Sequence, residues 1–276
     1  MSHVFYSQRI GVNPNLNGLE LQDVVELFVR VFNQFMSEGY FDEAFGFNCV
    51  DAGPITGNIK DVELDILLSV RKKYLWPIEL YCKSYSEDDL LDIIEYLYQK
   101  VSKPIDGVMH SWGECGMHWE KFSKEDGQIE FKEKINTVLG HYRVKFELTD
   151  SGEVLHIPEK GFEAIFSAEI PSQDKNIINR INAATTSFRR HGASIDNRRQ
   201  AVRDLADVLE YLRPQLQEHL TTKDEKDIFN IANNFGIRHH NDRQKTDYDA
   251  AIWLSWMFYF YLSTIHMVLR KKSHTD

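Results

Sequence analysis

Between residues 19 and 38, in LELQDVVELFVRVFNQFMSE, apolar side chains recur at helical spacing: Leu21, Val24, Val25, Phe28, Phe32 and Phe35 fall on one face. Gly39 follows as a stop signal. A second helix is expected over residues 61–75, ending before Pro77, because proline disfavours helical backbone in the residue that precedes it. Ser86 is placed to cap a third helix, EDDLLDIIEYLYQKV, whose opening acids suit the positive end of the helix dipole. IEFKEKINTVLG reads as a fourth. The period then changes. YRVKFELT and EVLHI alternate around Asp150-Ser151-Gly152, which predicts a β-hairpin.

Periodicity lapses at Pro158 and through SAEIPSQD, which places a domain boundary near residue 170 and divides the chain into 1–170 and 171–276. The second part carries four helical segments: 173–190, 195–219 with a break at Pro214, 223–235 and 248–270. Val202, Leu205, Leu209 and Leu212 form a core stripe, Gly236 terminates the third segment, and Asp247 or Asp249 is placed to cap the fourth. Short connections imply an antiparallel up-down bundle. The expected fold is thus mainly α: a helical N-terminal domain with a small β-hairpin, followed by a four-helix bundle. From Ala250 to Leu269 no residue is charged, a length that could span a membrane. Ser255, Tyr259, Tyr261, Ser263, Thr264 and His266 interrupt it, and a bundle needs a buried member, so a core helix and no membrane are expected.

Composition narrows the class. Of 276 residues, 42% are hydrophobic and 27% charged, the balance of a globular protein. The three cysteines, Cys49, Cys82 and Cys115, are odd in number and far apart, which argues against a disulfide framework and for a reducing compartment. No secretion signal opens the chain, so a cytoplasmic location is expected. The net charge of −10 is uneven. Residues 171–276 hold 16 basic and 13 acidic side chains, against 16 and 29 in residues 1–170. An acidic front and a mildly basic back suit a regulatory domain joined to one that faces a polyanion.

Three stretches carry candidate chemistry. His110, Cys115 and His118, in MHSWGECGMHWE, could supply three zinc ligands, with Cys49 or Cys82 as a fourth. No Cys-x2-Cys knuckle accompanies them, and the interleaved glycine and tryptophan favour an ordered loop packed by its aromatics, with no metal and no cofactor. FRRHGASIDNRRQAVRD gathers Arg189, Arg190, Arg198, Arg199 and Arg203 within one turn and its flanking helix ends, suited to phosphate or to pairing with Asp196, Asp204 and Asp207. IRHHNDRQKTDYD sets His239 and His240 behind Arg238, with Asn241, Arg243 and Lys245 after them. Histidine titrates near neutrality and can act as acid or base. In an up-down bundle the first and third connections share one end, so both basic turns would face one region.

The second part resembles a HEPN domain, a four-helix nucleotide-binding and ribonuclease module of bacterial defence and toxin systems. The first resembles the N-terminal domain of AbiJ-type abortive-infection proteins, through YSQRIG (6–11), FKEKINTVLGHYRVKFEL (131–148) and GEVLHI (152–157). The resemblance implies a phage-defence effector, an endoribonuclease that cuts RNA, including transfer RNA, without a metal or other cofactor. It implies a homodimer through the C-terminal bundle and a regulatory protein or ligand at the N-terminal domain. Arg238, His239, His240 and Asn241 would be catalytic, with Arg189, Arg190, Arg198, Arg199, Arg243 and Lys245 on RNA. HEPN nucleases place Arg, four to six residues, then His near the start of the last helix; positions 243–245 hold Arg, Gln and Lys instead. The literal spacing occurs once elsewhere, from Arg213 to His219, at the other bundle end. The alternative is a non-catalytic HEPN-type module that binds nucleotide, RNA or a partner protein.

Overall fold

The computed structural model describes residues 4–158, 161–234 and 249–273. By packing, the chain divides into two units, Met1–Val154 and Leu155–Asp276. Each encloses its own apolar core.

In the first unit the order is α1 (Tyr6–Arg9), α2 (Leu21–Ser37), α3 (Asp42–Phe45), β1 (Phe47–Cys49), β2 (Gly53–Ile55), α4 (Val62–Val70), α5 (Ile78–Tyr81), α6 (Glu87–Lys100), β3 (Lys103–His110), β4 (Gly116–Ser123), α7 (Lys124–Gly140) and β5 (Phe146–Leu148). β6 (Val154–His156) runs over the division. Of the expected stripe of α2, Val24, Val25, Phe28, Phe32 and Phe35 are buried, and Leu21 packs half-buried against the same core. Their rings meet those of Phe41, Trp76 and Phe131, so a framework of aromatic edges fixes α2 against α7 and the loops around it. Ser86 caps α6 as expected: its hydroxyl accepts the Asp89 N–H, and the Asp89 side chain accepts the Ser86 N–H.

Among the described residues the strands form three two-stranded sheets: β1 with β2 and β3 with β4, both antiparallel, and β5 with β6. The Asp150–Gly152 turn predicted a hairpin, and β5–β6 forms there. The eight-residue strands β3 and β4 are an addition that the pattern of the chain does not announce. Their register pairs Lys103 with Ser123, Val108 with His118 and His110 with Gly116. No residue of either strand is buried.

The second unit contains α8 (Glu163–Ser167), α9 (Lys175–Arg189), α10 (Ile195–Tyr211), α11 (Arg213–His219), α12 (Thr222–Asn234) and α13 (Ala250–Ser273). Residues 155–158 and 161–170, upstream of the boundary expected near 170, fall within this unit: Phe162 stacks on Tyr259 and Phe166 on Phe258. α10 is central, packing against α9 and α13 through Val202, Leu205 and Leu209. Pro214 breaks the second segment into α10 and α11, since its missing N–H suits a helix start. Asp249, one of the two expected caps, accepts the N–H groups of Ala251 and Ile252. α13 is the one described helix long and apolar enough to cross a membrane, and 67% of its apolar window is buried inside the unit. Leu254, Met257, Phe258, Tyr261, Ile265 and Leu269 fill the core, which is the role expected of it.

Candidate functional site

At the outer end of the β3–β4 hairpin the chain winds tightly. Gly113, Glu114 and Gly116 all have positive φ, at 59°, 57° and 97°. A Cβ on Gly113 would come within 3.3 Å of the Val50 side chain, so this loop rests directly on the turn that joins β1 to β2. Cys115 lies inside the wound segment. His110 closes β3, and His118 lies two residues into β4, diagonally across the ladder.

These residues converge with Cys49, the last residue of β1. The donor atoms of Cys49, His110, Cys115 and His118 all lie within 4.8 Å of one another. Cys49 Sγ is 3.7 Å from His110 Nδ1, and Cys115 Sγ is 3.2 Å from His118 Nε2. The imidazoles of His110 and His118 meet edge to face at 4.9 Å, with Phe47 packed on His118 at 4.8 Å. The other His110 nitrogen, Nε2, lies 3.1 Å from the Asp51 carboxylate. The N–H groups of Ala52 and Val50 point at the sulfurs of Cys49 and Cys115, at 3.4 and 3.5 Å. The backbone N–H groups of Ala52 and Asp51 hold the Cys49 thiol below its ordinary pKa, because an N–H donor stabilises charge on sulfur.

Aromatics do pack here, but around four convergent soft donors. Cys82, the other fourth ligand considered, is buried elsewhere and its thiol donates to the Glu79 carbonyl. The sequence left Cys49 and Cys82 as equal candidates for the fourth donor, because Cys49 stands 61 residues before His110 and no local spacing ties it to the others. The spacing His110-x4-Cys115-x2-His118 was the local signal.

In the second unit, the turn from α9 to α10 brings together part of the arginine set. Arg189 is buried: its Nε donates to the His156 carbonyl at 2.9 Å, and its guanidinium lies 5.2 Å from the Phe166 ring. Arg198 covers Phe188 at 5.5 Å, and Arg199 pairs with Asp196. Arg190 is exposed, beside His191, whose Nδ1 is 3.1 Å from His156 Nε2. The sequence did not single out this histidine pair. Arg213, in the literal HEPN spacing, is held by Glu210 and by the buried Glu225. Arg238, His239, His240, Asn241, Arg243 and Lys245 lie outside the described residues.

Comparison of the chain with family models, curated proteins and solved structures finds no match.

Proposed function

We propose that the chain is an RNA-acting effector of phage defence, with a regulatory first unit and a HEPN-type second unit that cleaves RNA as a homodimer. The carrying observation is the helical second unit, built around α10, with Arg190, His191 and His156 at its α9–α10 turn. The resemblance and the less acidic charge of this half point the same way. In this reading His240, or His239 beside it, takes the proton from a ribose 2′-hydroxyl, which attacks the adjacent phosphate; the bond to the 5′-oxygen of the next nucleotide breaks, that oxygen leaves with a proton from an acid of the partner copy, and a 2′,3′-cyclic phosphate remains. Arg238 stabilises charge on the phosphoryl oxygens, and Asn241 orients the phosphate. A regulatory protein or ligand acts on the first unit. In this reading the protein acts in the cytoplasm.

The second reading, a HEPN-type module that binds nucleotide, RNA or a protein without cutting, is favoured by one specific feature. Arg189, Arg198 and Arg199 are spent on a carbonyl, aromatic rings and an aspartate. Purified protein incubated with total RNA and with transfer RNA, in buffer free of magnesium and calcium, separates the two. Cleavage leaving cyclic phosphate ends, abolished by H239A/H240A, supports the first reading. Retention of RNA without cleavage, weakened by R238A, supports the second.

A further inference from the structure

We propose that Cys49, His110, Cys115 and His118 form a structural zinc site that fastens the β3–β4 hairpin to the β1–β2 turn. Zinc–sulfur bonds of about 2.3 Å and zinc–nitrogen bonds of about 2.0–2.1 Å place tetrahedral donors roughly 3.3–3.8 Å apart. The separations here, 3.7 Å for Cys49–His110 and 3.2 Å for Cys115–His118, fall at that scale, and no pair exceeds 4.8 Å. Small movements suffice to close the shell.

The donor types select the ion. Two sulfurs and two imidazole nitrogens suit zinc, whereas calcium and magnesium take oxygen ligands. Four protein donors fill a tetrahedron, which is the closed arrangement of a structural centre, not the three-ligand arrangement that leaves a position for water. The surroundings point the same way. His110 presents Nδ1 to the cluster while Nε2 faces the Asp51 carboxylate at 3.1 Å. A ligating histidine commonly donates its second N–H to a carboxylate, which fixes its tautomer and orientation. The N–H groups of Ala52 and Val50 directed at the two sulfurs stabilise thiolate charge. Binding to two thiols releases two protons, so a Zn2+ ion with two thiolates and two neutral imidazoles carries no net charge.

The fold also needs a fastening at this place. A two-stranded hairpin with no buried residue is marginal in water. Ile105, Val108, Met109 and Trp112 along it are more than half exposed, so apolar burial does little to hold it. The four donors sit at the hairpin's far end and reach across to a second hairpin. The core of the first unit is extensive and separate, so the ion secures these two hairpins and does not create the unit.

Metal analysis of full-length protein prepared with reductant tests the site. About one zinc per chain is expected. Cys49→Ser and Cys115→Ser are expected to lose it, whereas Cys82→Ser, outside the cluster, keeps it. Asp51→Asn is expected to bind zinc about 10–100-fold more weakly, as loss of an outer carboxylate does. Should the cysteine variants fail to fold, cobalt titration of the wild-type protein decides alone, since two thiolates on tetrahedral cobalt give intense sulfur-to-metal and visible bands. Three results would overturn the proposal: no metal and no tetrahedral cobalt spectrum in the wild type, full binding by a folded Cys49→Ser, or Cys49 and Cys115 recovered as a disulfide under reducing conditions. None of these readouts involves RNA.

Discussion

The two units use their polar residues in opposite ways. In the first, chemistry-bearing side chains collect at the outer end of an exposed hairpin, where Cys49, His110, Cys115 and His118 face one another across two β-turns. In the second, charged residues are drawn inward to support packing: Arg189 caps a carbonyl and lies on Phe166, and Arg213 joins the buried Glu225 beside Phe229. Clustered polar residues thus mark a site only when their partners are one another. Where each has its own ring, carbonyl or counter-ion, the cluster is scaffold.

The contrast can be broken first in the second unit's core. Phe258 is fully buried, stacks on Phe188 at 4.0 Å and also meets Phe166. Phe258→Ala is expected to cost about 3–5 kcal/mol in denaturant unfolding of this unit. If the units are independent in this respect, the metal content of the protein stays unchanged.

A pH effect comes next. His266 is buried in α13, and burial, followed by the nearby Arg270 charge, holds its pKa below the ordinary 6.5. Below that ordinary value the unfolded chain binds a proton that the folded chain resists, so stability rises with pH across the interval. The contribution is fully present above about pH 6.5 and is lost as pH falls toward the depressed folded value. Urea midpoints for the second unit should therefore drop between about pH 7.5 and pH 5.5, and His266→Gln should flatten that drop.

The smallest expected change is at the α6 cap. Ser86→Ala removes the acceptor for the Asp89 N–H and is expected to cost about 1 kcal/mol in the first unit. That local loss should leave both the metal content and the second unit's transition where they are.

These elements differ in how far the chain announces them. α2 and α10 bury a stripe, so their period is written in the sequence; α6 and α13 are buried around most of their circumference, α13 being announced by its uncharged run, and Ser86, Pro214 and Asp249 mark ends by local chemistry. β3 and β4 bury no face, so KPIDGVMH and GMHWEKFS show no alternation to read. Three of the four donors, His110, Cys115 and His118, were visible together in one stretch, and Cys49 was one of two candidates for the fourth. Cys115 and His118 are local neighbours, but the fourth donor arrives through packing of β1 against a distant hairpin, which no spacing encodes. The arginine turn was visible as composition, while the inward direction of Arg189 depends on its packing against Phe166 and the carbonyl of His156.

Amide hydrogen exchange, read before and after removal of bound metal under reducing conditions, tests most directly whether the cysteine–histidine cluster is a fastening. The account predicts lost protection in the β1–β2 turn around Val50 and Ala52 and along Lys103–His110 and Gly116–Ser123, with α2, α7 and the α9–α10 pair unchanged. Unchanged protection in both hairpins, or loss spread equally over both units, would contradict it.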